Sequence, residues 1–199
     1  MNYYLKLIIL PIILLLIILL LSCKNINNEF YGTEFKDNQK AFTFNLTDQY
    51  NKPFSLNKNN DIKIITFLYT NCTDICPTIT LKLREVYETL SQFNDKFRII
   101  VITVDPENDT PASALKYSKS FNMEDRWDFL TGEKKTLSEI WKNYYISQWV
   151  KDSKNPLISS INHSAPIYLI DHNEIIKIVH TDPIVPQEIA HDIKLLINN

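Results

Sequence analysis

Two rhythms of apolar residues run along this chain, one of period two and one close to 3.6. Ala41-Phe-Thr-Phe-Asn-Leu46 alternates as a strand does. Thr47 to Lys52 supplies a turn, and Pro53-Phe-Ser-Leu56 reads as a short return strand. Ile62 to Tyr69 is a nearly unbroken β-branched and aromatic run, the pattern of a strand covered on both faces. Directly after it, Ile79, Leu83, Val86, Tyr87, Leu90 and Phe93 keep a helical period, with Pro77 in the first turn where its missing N–H costs nothing. Phe97 to Val104 repeats the buried-strand pattern. Asp105 to Asp109 forms a loop, and Thr110-Pro111 supplies an N-cap and first helical position. Ala114, Tyr117, Ser118 and Phe121 share one face of the helix that follows. Trp127 to Leu130 is a short strand closed by Thr131-Gly132, and Leu137, Ile140, Trp141, Tyr144 and Tyr145 mark a further helix. Residues 147–160 are polar and without period. Ala165 to Ile170 is a third good strand, turned by Asp171-His-Asn173 into Glu174 to Val179. Pro186 opens a last helix with Ile189, Ile193, Leu196 and Ile197 inward.

The order strand, helix, strand, helix, then hairpin and helix predicts an α/β fold. A parallel crossover would pair 62–69 with 97–104, and the closing hairpin would add antiparallel strands. This is the thioredoxin-like three-layer sandwich: a central mixed sheet with flanking helices and an N-terminal β-hairpin. Segments 105–135 and 146–162 are surplus to it and are expected as decorations.

The N-terminus breaks the pattern. Leu7 to Leu21 is uninterrupted apolar sequence preceded by Lys6, short for a spanning helix of about 20 residues but suited to an export signal. It ends Leu20-Leu21-Ser22-Cys23, which resembles the lipobox of bacterial lipoproteins, where cleavage before the cysteine is followed by acylation of its thiol. The alternative is an uncleaved anchor in which Cys23 is incidental. Either way the folded part sits outside the cytoplasm, tethered to a membrane. The expected organisation is a signal peptide or anchor over 1–22, a flexible tether over 23–40, with an extra edge strand there as the alternative, and one folded domain over 41–199. Net charge of −2 from 21 basic and 23 acidic residues leaves no electrostatic footprint for nucleic acid.

With Cys23 set aside, the domain holds two cysteines, Cys72 and Cys76, in the loop between the 62–69 strand and its helix. In an exported chain two cysteines usually pair, but so small a loop gains little from a staple, so chemistry explains the pair better. Wound into a helical turn, both sulfurs would share a face, and a helix N-terminus favours thiolate. Such a pair can exchange as a disulfide or bind a soft ion such as Cu(I) or Zn(II). An iron–sulfur cluster would want four cysteines and structural zinc four ligands, so two thiolates with one imidazole around Cu(I) fits the composition best. Among the histidines, His172 lies in a hairpin turn, and His180 and His191 read as surface residues. His163 stands just before the third strand, in a loop that would face the cysteine turn. As an ordinary exposed loop histidine it would have no such role.

Taken together, Cys72-x-x-x-Cys76-Pro77, Val104-Asp-Pro106, Asp109-Thr-Pro111, Leu130-Thr-Gly132, His163-Ser and Tyr168-Leu-Ile-Asp171 resemble the Sco/SenC family, in family order and with a similar Cys72-to-His163 spacing. The match runs from about residue 41 to the C-terminus. The resemblance implies a thioredoxin-like, membrane-anchored protein binding copper through Cys72, Cys76 and His163. Its implied role is assembly of the dinuclear copper site of cytochrome c oxidase subunit II, with a separate copper donor protein. Asp74 matches the acidic residue usual between the cysteines; Asp105 and Asp109 fall in a family loop and receive no direct role. Thr73 replaces the family's usual proline, and Asn162 replaces an aspartate before the histidine, removing a negative charge beside the imidazole. Three ligands still suit Cu(I), while Cu(II), a harder ion, depends more on what was lost. Pro166 occupies the position where thioredoxins carry a cis-proline, a point for thiol exchange.

Two readings follow: a copper metallochaperone that turns nothing over, or an extracytoplasmic thiol–disulfide oxidoreductase that keeps a partner's copper-site cysteines reduced. A metal site needs His163, whereas exchange needs only the cysteines. A peroxidase of the peroxiredoxin kind shares the fold but lacks a separate resolving cysteine.

Overall fold

Eight strands and four α-helices follow one another in the described residues of the computed structural model, which are 29–35, 37–56, 61–146 and 165–198. In chain order they are β1 (Thr33–Glu34), β2 (Asn45–Thr47), β3 (Pro53–Ser55), β4 (Ile62–Leu68), α1 (Ile75–Thr89), β5 (Phe97–Thr103), α2 (Pro111–Ser120), β6 (Asp128–Leu130), α3 (Lys134–Asn143), β7 (Ile167–Ile170), β8 (Ile176–His180) and α4 (Pro186–Asn198). The main sheet has the order β1-β8-β7-β4-β5-β6, and β2 and β3 form a separate hairpin. β4 pairs in parallel with β5, and β5 with β6. β7 runs antiparallel to both β4 and β8, so the sheet is mixed as expected.

Every residue of β4 is buried, which explains its nearly unbroken apolar run, Lys63 and Thr66 being the polar exceptions. Its side chains alternate between two cores. Ile62, Ile64 and Leu68 join one with Ile79, Leu83 and Val86 of α1, Ala114 and Tyr117 of α2, and Ile189 and Ile193 of α4. Ile65 and Phe67 join the other with Phe44, Leu46 and Phe54 of the hairpin and Leu137, Ile140 and Trp141 of α3. Helices α1, α2 and α4 therefore cover one face; α3 and the hairpin cover the other. This is the three-layer sandwich.

Several expectations change. The 105–135 stretch is more than decoration, since it contributes α2 and the sheet's sixth strand; Gln49 fastens that strand by donating to Glu124 and Trp127 carbonyls and accepting from Phe129 N–H. Helix α3 stops at Asn143, and Tyr145 adopts a left-handed φ of 60° with its ring out in solvent, so it does not extend the inward face. Residues 33–35 and 37–40, within the stretch assigned to the tether by its polarity, lie along the sheet edge: β1 pairs with β8, Gln39 accepts from Ile176 N–H, and Ala41 N–H donates to Glu174. Backbone hydrogen bonds carry this docking, so no apolar period announced it. The Ala165–Pro166 peptide is not cis; the cis bond among the described residues is Asp182–Pro183. The apolar run 7–21, Cys23, residues 147–160 and His163 lie outside the described residues. No described helix is long and apolar enough to cross a membrane.

Candidate metal centre

The site is built where β4 ends. Its backbone leaves the sheet at Leu68, passes Tyr69 and Thr70, and brings Cys72 to the start of α1. Asp74, the N-cap residue of α1, makes no side-chain cap. The first N–H groups of a helix need an acceptor, and the Cys72 sulfur supplies it: Cys76 N–H donates to Cys72 Sγ at 3.3 Å, and Asp74 N–H also points to it. The expected shared helical face is thus replaced by a cap geometry. Cys76 lies in the helix's first turn, Cys72 outside it, and the two side chains are themselves hydrogen-bonded. Both thiols are free, with Cys76 fully buried and Cys72 nearly so.

Their surroundings make them unequal. The hydrogen bond from the Cys76 thiol, helped by Asp74 and Cys76 N–H groups and the Tyr69 hydroxyl, outweighs burial and brings Cys72 down to about 6. Cys76 moves the other way, pushed up by that same hydrogen bond, by burial and by the nearby Cys72 and Asp109 charges. In the reduced pair Cys72 is thus biased toward thiolate and Cys76 toward thiol. Tyr69 is held above the usual phenol range by burial and then by the Cys72 charge.

A second layer fixes the loop. Asp109 is buried, and its carboxylate accepts from Thr70 N–H (3.1 Å to Oδ1), Thr70 Oγ1 (2.5 Å) and Thr103 Oγ1 (2.5 Å). It therefore ties the ends of β4 and β5 together two residues before Cys72. Burial raises its pKa against the pull of those hydrogen bonds. On the other side, Thr80 Oγ1 donates to the Cys76 carbonyl at 2.8 Å and meets Tyr117 Oη at 2.9 Å. Sequence reasoning gave Asp109 no role and did not single out Thr70, Thr80 or Tyr117. A threonine beside a cysteine loop carries no signal until the fold brings its partner close. Asp105 N–H donates to Thr103 Oγ1 and its carboxylate accepts from Asn108, so it shapes the 105–109 loop.

The histidine assignments divide. His180, expected at the surface, is buried; its Nε2 stands 3.0 Å from Asp192 Oδ2, out of line for a hydrogen bond. His191 packs its ring on Tyr31. Among the described residues no group of three or more His, Cys, Asp or Glu side chains converges as metal ligands, so this part of the chain brings together two soft donors, Cys72 and Cys76.

A family model described as SCO1/SenC matches residues 33–198. The chain belongs to that family. An SCO2-like protein of Rickettsia typhi is 34% identical over 145 residues, covering 70% of this chain and 69% of its own length. Among solved structures, BsSco, described as a member of the Sco family of cytochrome c oxidase assembly proteins and as containing a disulfide switch, shares 26% identity and a TM-score of 0.67 over 83% of this chain and 98% of its own. Bradyrhizobium japonicum ScoI with copper bound shares 28% identity and a TM-score of 0.64 over 79% of this chain and 99% of its own. Membership extends the matched region back to residue 33, which includes the edge strand β1.

Proposed function

We propose that this chain is a copper metallochaperone for assembly of the dinuclear copper site of cytochrome c oxidase subunit II, holding copper through Cys72, Cys76 and His163. The observation that carries the reading is the dithiol itself: two adjacent sulfurs at a helix N-terminus, one already biased to thiolate, in a family whose solved members include a copper-bound ScoI. Soft thiolates suit Cu(I). His163 is supported as third ligand by its place in the chain. The β4–β7 pairing sets Ile65 opposite Tyr168, and Thr66 Oγ1 donates to the Pro166 carbonyl at 3.1 Å. Ala165 therefore lies beside the end of β4, and Ala165 and Cys72 belong to one apolar cluster. His163 is two residues back, a reach of roughly 7 Å. As copper is cargo, Cu(I) is the form bound and passed on, with Cu(II) a second state.

The N-terminal run and Cys23 support an exported protein held at the membrane, acylated at Cys23 or anchored uncleaved. Thiol–disulfide exchange with the recipient's cysteines is the second reading. The unequal pair favours it, since a low-pKa attacking thiolate with a protonated neighbour is the arrangement such exchange needs.

Anaerobic Cu(I) titration of the reduced protein against a competing chelator, with X-ray absorption, tests the proposal. One copper on two sulfurs and one nitrogen, with the nitrogen and most of the affinity lost in His163→Ala, is the expected result. Unchanged affinity in that variant removes His163 as a ligand. Negligible copper binding with ready exchange makes the protein a reductase.

A further inference from the structure

The two sulfurs are held to the fold in different ways. Cys72 lies in the loop before α1, between exposed Asn71 and Thr73, and its N–H donates to the Tyr69 carbonyl at a long 3.4 Å. Cys76 is fully buried in the first turn of α1.

The hold on Cys76 reaches back to a second helix. A hydroxyl has one proton to give, and that of Thr80 goes to the Cys76 carbonyl at 2.8 Å. The 2.9 Å contact between Thr80 Oγ1 and Tyr117 Oη therefore has Tyr117 as its donor. The result is a relay from the Tyr117 hydroxyl on α2, through Thr80, to the turn that carries the Cys76 thiol. Burial holds Tyr117 above the usual phenol range against the pull of its Thr80 hydrogen bond, so the hydroxyl keeps the proton it donates. Thr80 is fully buried and Tyr117 nearly so, and a partner lost here is not replaced from bulk solvent.

Tyr117 is itself fixed from several sides. Its ring lies 4.9 Å from Phe121, stacks on Trp127 at 6.4 Å with 9° between planes, and meets Phe129 edge-on at 5.9 Å. Next to it on α2, Ser118 Oγ accepts from Trp127 Nε1 and donates to the Ala114 carbonyl. An aromatic cluster thus sets where the hydroxyl stands, and the first turn of α1 is tied to that point.

We propose that Tyr117 is a positioning residue for the dithiol: through Thr80 it fixes the first turn of α1, so that Cys76 is the stationary sulfur onto which Cys72 closes, around Cu(I) or in a disulfide. The inference rests on the dithiol being the functional site, as proposed above. Disulfide closure brings the sulfurs from hydrogen-bond contact to about 2.0 Å, and a fixed Cys76 raises the effective concentration at which Cys72 meets it.

The test equilibrates the full chain, in detergent, with oxidised and reduced glutathione. The Cys72 thiolate attacks glutathione disulfide and releases one glutathione. The Cys76 sulfur then displaces the second and gives up its proton, so two electrons pass to glutathione, which leaves as one thiolate and one thiol. Tyr117→Phe should lower the constant for disulfide closure, and the Cu(I) affinity in chelator competition, about threefold to tenfold each. Ser118→Ala removes the Trp127 acceptor on the same helix without touching Thr80; it should cost stability and leave both constants unchanged. Thr80→Val leaves the Tyr117 hydroxyl unpaired in the core. Adding Tyr117→Phe removes that orphan, so the double variant should regain most of the lost stability in urea unfolding while its closure constant stays low. An unchanged closure constant in Tyr117→Phe, an equal fall in Ser118→Ala, or a constant that recovers with stability in the double variant overturns the positioning role. A wild type that takes up no Cu(I), with the closure constant still shifted by Tyr117→Phe, removes the copper reading and supports the positioning role.

Discussion

Replacing Asp109 probes how the cysteine loop is held, and the structure gives both size and sign. Asp109→Ala strips the acceptor from Thr70 N–H, Thr70 Oγ1 and Thr103 Oγ1 at once. Hydrogen bonds to a charged group contribute roughly 1.5–3 kcal/mol each, offset by several kcal/mol for keeping a carboxylate out of water. A net loss of about 3 kcal/mol is expected for the alanine variant. Asp109→Asn retains an oxygen for Thr70 and offers an amide to Thr103, so about 1 kcal/mol is expected. The pH dependence runs opposite to that of most aspartates. Burial raises the folded pKa of Asp109, so the folded state holds this proton more tightly than the unfolded chain does. Its contribution is full below the unfolded value of about 4 and is lost as pH rises through the folded value. The Asn variant has no such proton, and its deficit against wild type should be larger at pH 4 than at pH 7. Urea unfolding of the reduced, metal-free protein at both pH values measures this. An alanine loss below about 1 kcal/mol refutes the clamp, and an Asn deficit that grows with pH refutes the burial-raised pKa.

Iodoacetamide should alkylate one thiol of the reduced, metal-free protein, with a rate inflection at about pH 6, and peptide mapping should find it at Cys72. An inflection in the ordinary thiol range, or equal labelling of Cys76, would contradict the unequal pair. Because Cys72 is lowered on folding, its charge stabilises the reduced fold above the unfolded thiol value, and this is lost as pH falls through about 6. Gln49→Ala leaves two carbonyls and one N–H around β6 without their partner, and a loss of about 3 kcal/mol is expected by thermal unfolding; a change within 0.5 kcal/mol or so would show that water replaces the side chain freely.

What could be read from the sequence depended on whether burial was written in side chains. β4 and β5 were legible because strands largely covered on both faces carry apolar residues at most positions, Lys63, Thr66, Thr103 and the exposed Arg98 being the exceptions. α1 was legible from Ile79, Leu83 and Val86, which recur at the helical period and are buried. The cysteine pair was legible because two thiols so close, with no other cysteine in the domain, have few structural uses. β1 was not, since Thr33 and Glu34 pair through their backbones and show exposed side chains to any pattern search. His180 was misplaced for a related reason. Its partner, Asp192, is far away in sequence, and its burial becomes affordable in a cleft that Gly32 alone can line. Asp109 was visible as a loop residue, but its partners Thr70 and Thr103 come from two different strands, and a linear motif does not show which of them the fold brings together.

The unequal thiols bear on how a single site could both carry copper and exchange disulfides. Copper binding needs both sulfurs deprotonated, yet Cys76 holds its proton because Cys72 is charged and burial is severe. A bound cation reverses that logic by neutralising the Cys72 charge, so loading should release close to one proton per copper at pH 7, from Cys76. Without copper the same pair is poised as an attacking thiolate with a protonated neighbour, the state suited to reducing a recipient's disulfide. The helix N-terminus that caps itself on Cys72 Sγ serves both states, because its N–H groups stabilise negative sulfur whether or not a metal is present. Proton release measured by dye absorbance during anaerobic loading separates this account from one with two equivalent thiols. Release near one supports the unequal pair, and release near two refutes it.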